Sequence, residues 1–593
     1  MKEKIVERLI ELRKYMQENS LQAFIVVSSD AHSSEYVADH WKAREWITGF
    51  DGSAGTAVIT LDGASLWTDS RYWLAAEEQL SGTGYTLMKD GDASTPSITE
   101  WLRGNLRSGD RVGVDATVCS MAEVDAWRSS LAEAGIVLDD TKEPFTKIWN
   151  NRPPVPAGEA FIMPIETAGE RAADKLQRLR RGLAQKSADG MLVTMLDEVA
   201  WLTNLRGCDV EYNPVVVSYL LVTPDKATLF VGSEKINNNV KEYLCGEGIE
   251  TAPYEAVWSA LARYDRDTIL VQPNSCNAAV RVNLNPQTTI ITADSPVAAM
   301  KAVKNSVEIE GFKRAMLAEG VAMVKLLHWL RPALQSGPLT ELDVDRKLTE
   351  LRSEDKDFCG LSFATIAAYG KNGAIVHYEP TEESNTPLLP ESFLLLDCGG
   401  QYRGGTTDIT RTIALGTLTD EQCADYTRVL RGHISLAMAK FPKGTCGTQL
   451  DVLARQWLWQ AGQNYLHGTG HGVGHFLNVH EGPHQIRMNN MPAPLLPGTT
   501  VTNEPGLYKA GRYGIRIENT MLVTHSSTTE FGDYCALTPL TVCPIDKTPI
   551  VPAILGAEAT EYLNNYHAWV FETLSPYFEG ETLEFLKQQC APL

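Results

Sequence analysis

Basic residues are in deficit. The chain carries 53 Lys and Arg against 74 Asp and Glu, a formal charge of −21, which disfavours nucleic acid and anionic membrane as partners because phosphate binding needs a cationic surplus. Such a charge serves solubility. No stretch approaches the roughly 18 uninterrupted apolar residues of a membrane span, and residues 1–8 mix acids with apolar residues where a secretory signal would have an apolar core. The eleven cysteines, from Cys119 to Cys590, form no C-x-x-C and no regular spacing, which argues against a disulfide framework or a zinc knuckle. These absences predict a cytoplasmic protein.

What the chain has in excess is histidine in one place. Five of the twelve histidines (467, 471, 475, 480 and 484) lie within the run from His467 to His484, and glycine occupies positions 468, 470, 472 and 474. The glycines suggest a loop with unusual dihedrals that a ligand or metal can approach closely. A dinucleotide fingerprint is excluded, because G-x-G-x-x-G would need glycine where Val473 or His475 stands.

At 593 residues the chain exceeds one core, and a prior of roughly 100–200 residues per domain suggests three or four. The fold class expected is α/β. Ile5, Leu9, Leu12 and Met16 have helical spacing, a strand follows at 23–27, and a hairpin turns at Asp62-Gly63. Further helices are expected over 71–80 and 97–106, a strand at 112–114, and a helix from about Met121 with Ser120 as N-cap. A proline-rich linker, Pro153-Pro154-Val155-Pro156, closes this part. The next part repeats the order: helix 171–185, strand 191–194, then Trp201-Leu202-Thr203 in the place of Trp46-Ile47-Thr48, then a hairpin with its turn at Pro224-Asp225. This reads as a duplicated α/β domain, residues 1–152 and 153–306, followed by residues 307–593 with an extension from about 545. Neither copy shows chemistry. Ser53 lacks the G-x-S-x-G elbow, and Asp209, Glu211 and Tyr212 line either a cleft or a solvated loop.

The last part opens with an amphipathic helix from Val307 to about Leu330 and a second behind the capping box Thr340–Asp343. Ala374–Tyr378 reads as a short strand that places His377 at its end. The apolar run Phe393–Leu396 closes with Asp397, a carboxylate that needs a cation or a metal at the end of a buried strand. Glycines at 399, 400, 404 and 405 let the chain return, so Asp408 and Thr410 share a face near Asp397 on adjacent antiparallel strands. Glu504 stands before Pro505-Gly506, and the alternation 514–519 turns Ile515 and Ile517 to a core and Arg516 and Glu518 the other way. Four carboxylates with one imidazole suit hard or borderline divalent metals: Mn²⁺ above all, with Co²⁺, Fe²⁺ or Zn²⁺ as alternatives. That many acids suit two ions about 3.5–4 Å apart.

Asp397, Asp408, His471, Glu504 and Glu518 resemble, in order and approximate spacing, the D-D-H-E-E ligands of the pita-bread metallopeptidases, the class of methionine aminopeptidase, prolidase and aminopeptidase P. The resemblance covers essentially the whole chain, including the words Gly52-Ser53-Ala54-Gly55-Thr56 and Trp67-Thr68-Asp69-Ser70-Arg71-Tyr72 of creatinase-like domains and a tail after Pro544, as in the long three-domain cytosolic type of Xaa-Pro aminopeptidase. It implies two creatinase-like domains before a pita-bread domain, and hydrolysis of the bond between an N-terminal residue and a following proline by a water bridging two metal ions. It further implies that Asp397 holds one ion, His471 and Glu504 the other, with Asp408 and Glu518 bridging. Glu504 would be the general base, His377 and His480 would steady substrate and tetrahedral intermediate, His467 would contact substrate near the proline, and Arg516 would orient the carboxylates. His475 and His484 have no implied role beyond a rim or structural place. A homodimer is expected from the resemblance alone, and peptides with proline second are the expected partners. The alternatives are a prolidase restricted to Xaa-Pro dipeptides and a metal-free protein on the same fold, either a creatinase-like hydrolase or a binding module. Single N-terminal domains of common prolidases and the intact ligand set weigh against them.

Overall fold

The computed structural model describes residues 2–593 and divides into two compact units, one running to 165 with 170–298 and the other 166–169 with 299–593. In the first unit, helix Lys2–Glu18 buries Ile5, Leu9, Leu12, Tyr15 and Met16, as their spacing requires. It packs on a six-stranded sheet. The strands Ala23–Val27, Thr56–Thr60, Ala64–Thr68, Thr86–Lys89, Arg111–Val114 and Val137–Asp139 lie in the spatial order 4-3-2-1-5-6. A second sheet, from Met191–Val193, Ser218–Val222, Ala227–Val231, Glu250–Ala252, Thr268–Val271 and Thr289–Thr292, has the same order. The mix of parallel and antiparallel pairs also matches strand for strand. This is the duplication read from Trp46-Ile47-Thr48 and Trp201-Leu202-Thr203, both of which are helical, within Ala43–Thr48 and Leu196–Thr203. One apolar cluster draws on both sheets, with Ile25 and Val114 from the first and Leu192 and Ile269 from the second, so the repeats form one unit. Asp209 lines no cleft: its carboxylate is buried, accepts the Val217 N–H and pairs with buried Lys235.

The second unit is framed by the helix Ser306–Ser336, capped by Asn305 and longer than the apolar pattern indicated, and by Glu341–Arg352 behind Thr340. Three antiparallel strands, Ile366–Tyr369, Phe393–Cys398 and Ile409–Ala414, form one sheet with the apolar run in the middle. A second sheet orders Lys440–Pro442, Gly532–Pro539, Asn519–Thr529 and Thr500–Asn503. Two ribbons complete the frame, Gly470–Gly472 with Glu481–Ile486 and Gly506–Lys509 with Tyr513–Arg516. Helices Asp420–Ala437 and Ala557–Leu574 share a core with Tyr513, Ile515 and Ile517.

Two local expectations fail. Ala374–Tyr378 is no strand: Gly370–Ala374 is a 3-10 helix and His377 follows in a turn. Five residues were too short to decide this, because the backbone there is organised by a side chain. The Glu341 carboxylate, buried with no cation bonded to it, accepts from the Tyr369 and Thr386 N–H groups, Asn372 Nδ2 and the Tyr378 hydroxyl. The glycines around His471 do not adopt left-handed dihedrals either. They give clearance: a Cβ at Gly470 would stand 1.9 Å from the Thr502 carbonyl and one at Gly472 2.5 Å from that of Glu481. The run therefore forms a tightly packed ribbon.

Candidate metal centre

Each acidic residue arrives on a different element. Asp397 is the penultimate residue of the central strand and pairs in register with Thr410, while Asp408 directly precedes the returning strand. His471 is the middle residue of the short ribbon strand, and its N–H donates to Thr502 Oγ1 at 3.0 Å. Glu504 follows the strand Thr500–Asn503, its N–H on the Thr469 carbonyl at 2.8 Å. Glu518 sits in the break between Tyr513–Arg516 and Asn519–Thr529.

The side chains converge. His471 Nε2 lies 3.4 Å from Asp408 Oδ2 and 3.3 Å from Glu504 Oε1. One ligand atom each from Asp408, His471 and Glu518 falls within a 4.8 Å group. His471 Nδ1 donates to the Gly472 carbonyl at 2.8 Å, which leaves Nε2 as the nitrogen that faces the acids. Asp397 is anchored by Arg516, whose Nη2 and Nε reach Oδ2 at 2.6 and 3.0 Å. Thr410 Oγ1 donates to Glu518 Oε2 at 2.7 Å. Asp397 Oδ1 and Glu518 Oε1 are buried with no hydrogen-bond partner.

Burial and mutual repulsion act on the acids together. Burial pushes the Asp397 carboxyl up to about 6, with Asp408 and Glu504 adding to it against the lowering by Arg516. Burial, then Asp408, Glu504 and Asp397, drive Glu518 well above the carboxylate range. Burial would lower His471, yet its bond to Asp408 and the charge of Glu504 raise it to about 9. Two buried carboxylate oxygens are left without donors, and His471 Nε2, whose proton a metal ion would displace, lies beside Asp408 and Glu504. An oxygen-rich set with one nitrogen is what hard and borderline divalent ions bind, and four acids match two of them. The residues fit a pair of metal ions.

The other histidines divide. His480 stands edge-on to His471 with ring centroids 4.4 Å apart. His467 donates from Nδ1 to the Gly468 carbonyl and receives the Tyr508 hydroxyl on Nε2 at 2.8 Å. Tyr508 in turn accepts from Arg516 Nη1 at 2.6 Å, and Arg516 Nη2 reaches the Val376 carbonyl beside His377 at 3.3 Å. One relay of donors thus runs from Arg516 both to Asp397 and through Tyr508 to His467. His484 is buried and bound through Nε2 to the Thr500 carbonyl, and burial lowers it to about 4. His475 is buried beside Phe312, its Nδ1 3.9 Å from Glu308. Tyr508 carried no signal in the sequence. Lys301 and Lys304, which pair with buried Glu481 next to His480, were equally invisible.

Among curated proteins, the chain is 42% identical to a probable Xaa-Pro aminopeptidase P of Laccaria bicolor, covering 99% of this chain and 93% of that one. The chain belongs to the Xaa-Pro aminopeptidase P family. Models of the Creatinase/Prolidase N-terminal domain match 8–148 and 151–308, that of metallopeptidase family M24 matches 310–525, and that of the C-terminal region of peptidase M24 matches 533–593. Among solved structures, X-prolyl aminopeptidase of Caenorhabditis elegans, described as a cytosolic enzyme with a di-nuclear active site, superposes with a TM-score of 0.95 at 33% identity over 99% of this chain and all of its own. An Xaa-Pro dipeptidase of Bacillus anthracis shares the fold over 63% of this chain and 99% of its own, with a TM-score of 0.53 at 23% identity. Two creatinase-type halves before an M24 domain are therefore the architecture of this aminopeptidase P family member.

Proposed function

We propose that the protein is a metalloaminopeptidase that removes the N-terminal residue of peptides whose second residue is proline, with two divalent ions, Mn²⁺ in preference to Co²⁺, Zn²⁺ or Fe²⁺. The observation that carries this reading is the meeting of Asp397, Asp408, His471, Glu504 and Glu518 around carboxylate oxygens that no donor satisfies. The domain limits at 152, 306 and about 545, a homodimer and a cytoplasmic location belong to the same proposal. A cytosolic relative supports the location, and no described helix is long and apolar enough to cross a membrane.

Asp397, Asp408, His471, Glu504 and Glu518 would hold the ions, which when bound supply Lewis acidity toward the scissile carbonyl and acidify water. Glu504 acts as general base. It takes the proton of the attacking water and returns it to the proline nitrogen, which must be protonated to leave because an amide anion is too basic to be expelled. His480, beside His471, donates to the oxygen on which negative charge develops, and His377 holds the substrate on the Arg516 side. Both nitrogens of His467 are engaged, so it offers ring surface to the proline and no hydrogen bond. Arg516 keeps Asp397 ionised and oriented.

The assay compares Arg-Pro-Pro and longer Xaa-Pro peptides with Gly-Pro after Mn²⁺ reconstitution. Release of the first residue from the longer peptides is expected. Activity confined to the dipeptide would establish a prolidase, and no activity with fewer than one bound ion per chain would establish a metal-free binding module.

A further inference from the structure

The strand Ile409–Ala414 divides its side chains between two faces. Thr410 serves Glu518, and Thr412 Oγ1 donates to the Arg516 carbonyl while accepting the Arg516 N–H. Arg411 points the other way and is 2% exposed. Its Nε donates to the Pro544 carbonyl at 2.8 Å, and Nη1 donates to the carbonyls of Thr410 and Glu518 at 2.9 and 2.6 Å. Its Nη2 reaches Asn519 Oδ1 at 2.9 Å, the Cys543 carbonyl at 2.8 Å and the Tyr566 hydroxyl at 3.2 Å. Every one of these acceptors is neutral. A buried guanidinium without a carboxylate is costly, and here its planar fork of donors is satisfied by joining three separate stretches of chain.

One of those stretches is the peptide of Glu518. Because Glu518 lies between two strands, no ladder sets its place. Its N–H donates to the Thr410 carbonyl at 3.1 Å, its carbonyl accepts from Arg411, and its carboxylate accepts from Thr410. On the far side the same guanidinium is gripped by Pro544 and Cys543 and by Tyr566 of the helix Ala557–Leu574. Tyr566 is itself bound to the Cys543 carbonyl at 2.8 Å.

We propose that Arg411 is a positioning residue for Glu518, and that through it the C-terminal segment from Cys543 to Tyr566 is a working part of the metal-binding site. The inference rests on the metal reading above. It is tested on the full chain, freed of metal and titrated with Mn²⁺ or Co²⁺ alone, in the wild type, Arg411→Lys and Tyr566→Phe. Calorimetry gives stoichiometry and affinity, and the visible spectrum of the Co²⁺ form reports ligand geometry independently of activity. Lysine keeps the charge but cannot span the three stretches. The expected result for Arg411→Lys is a folded protein that binds Mn²⁺ about 10-fold or more weaker with an altered Co²⁺ spectrum, and for Tyr566→Phe a smaller change in the same direction. Wild-type affinity and spectrum in a folded Arg411→Lys overturn the proposal. If that variant fails to fold, an unchanged Tyr566→Phe spectrum overturns it. A wild-type chain that takes up no metal pair instead overturns the metal reading, and this inference with it.

Discussion

Arg516 sets two of its nitrogens on a single oxygen of Asp397, at 2.6 and 3.0 Å on Oδ2, and leaves Oδ1 with no donor. The residues are 119 positions apart in the chain. A fork that could have covered both oxygens covers one, and the other is buried with no donor. Replacement by lysine keeps charge but loses the link to Tyr508 and Val376. Arg516→Lys is expected to lower kcat about 100-fold, the cost of a small misplacement at a reacting centre, in steady-state assays on Arg-Pro-Pro.

Asp408→Ala and His480→Ala should separate metal binding from turnover. The first removes a carboxylate 3.4 Å from His471 Nε2 and is expected to lose bound metal. The second is expected to retain both ions and lose about 100-fold to 1,000-fold in kcat, the range for removing one transition-state donor. Metal analysis beside kinetics reads the difference, and full turnover in His480→Ala would remove its assigned role.

Glu481 is wholly buried between Lys301 and Lys304 and pairs with Gly472 across the ribbon that carries His471. Glu481→Gln leaves two buried ammonium groups without an anion. Loss of about 3–5 kcal/mol of stability is expected from breaking such a pair, measured by denaturant unfolding, with partial recovery in the double variant Glu481→Gln with Lys304→Met.

Glu341→Gln swaps a carboxylate oxygen for a donor that faces other donors, from Tyr369, Asn372, Tyr378 and Thr386. A loss of about 1–3 kcal/mol is expected, together with a fall in kcat, because the same bonds shape the turn that holds His377. Combining it with His377→Ala should give less than the product of the two rate losses.

Acid lability follows from His567. Burial lowers it to about 3, and its Nε2 accepts the Ile545 N–H at 3.1 Å. A histidine that is neutral when folded and titrates at about 6.5 when unfolded binds more protons in the unfolded state between these values. Stability is therefore present above pH 6.5 and lost as pH falls toward 3. His567→Gln, which can still accept from Ile545, should flatten this slope in unfolding measured from pH 7 to pH 4.

Much of the site was legible because the strands alternate. The apolar run before Asp397 and the opposed side chains of Ile515 and Arg516 are local consequences of a period of two, whereas Glu518 lies in the break between two strands. His377 shows where that stops. Its flanking residues look like a strand, but Glu341, 36 positions upstream by number, binds the backbone and side chains around it into a turn. The glycines around His471 are another case, since what they avoid is the carbonyls of Thr502 and Glu481, which no local pattern reveals.

By itself the sequence determined the α/β order of elements and the duplication, because periodicity is a property of neighbours along the chain, and its resemblance to a known family singled out the five side chains proposed to hold metal. Only the tertiary structure decided what surrounds those side chains: Arg516 with Tyr508 and His467, Glu481 between two lysines, and Arg411 between Glu518 and the last helices. Buried polar groups must find partners wherever the fold brings donors and acceptors together, and Lys301 and Glu481 are 180 residues apart.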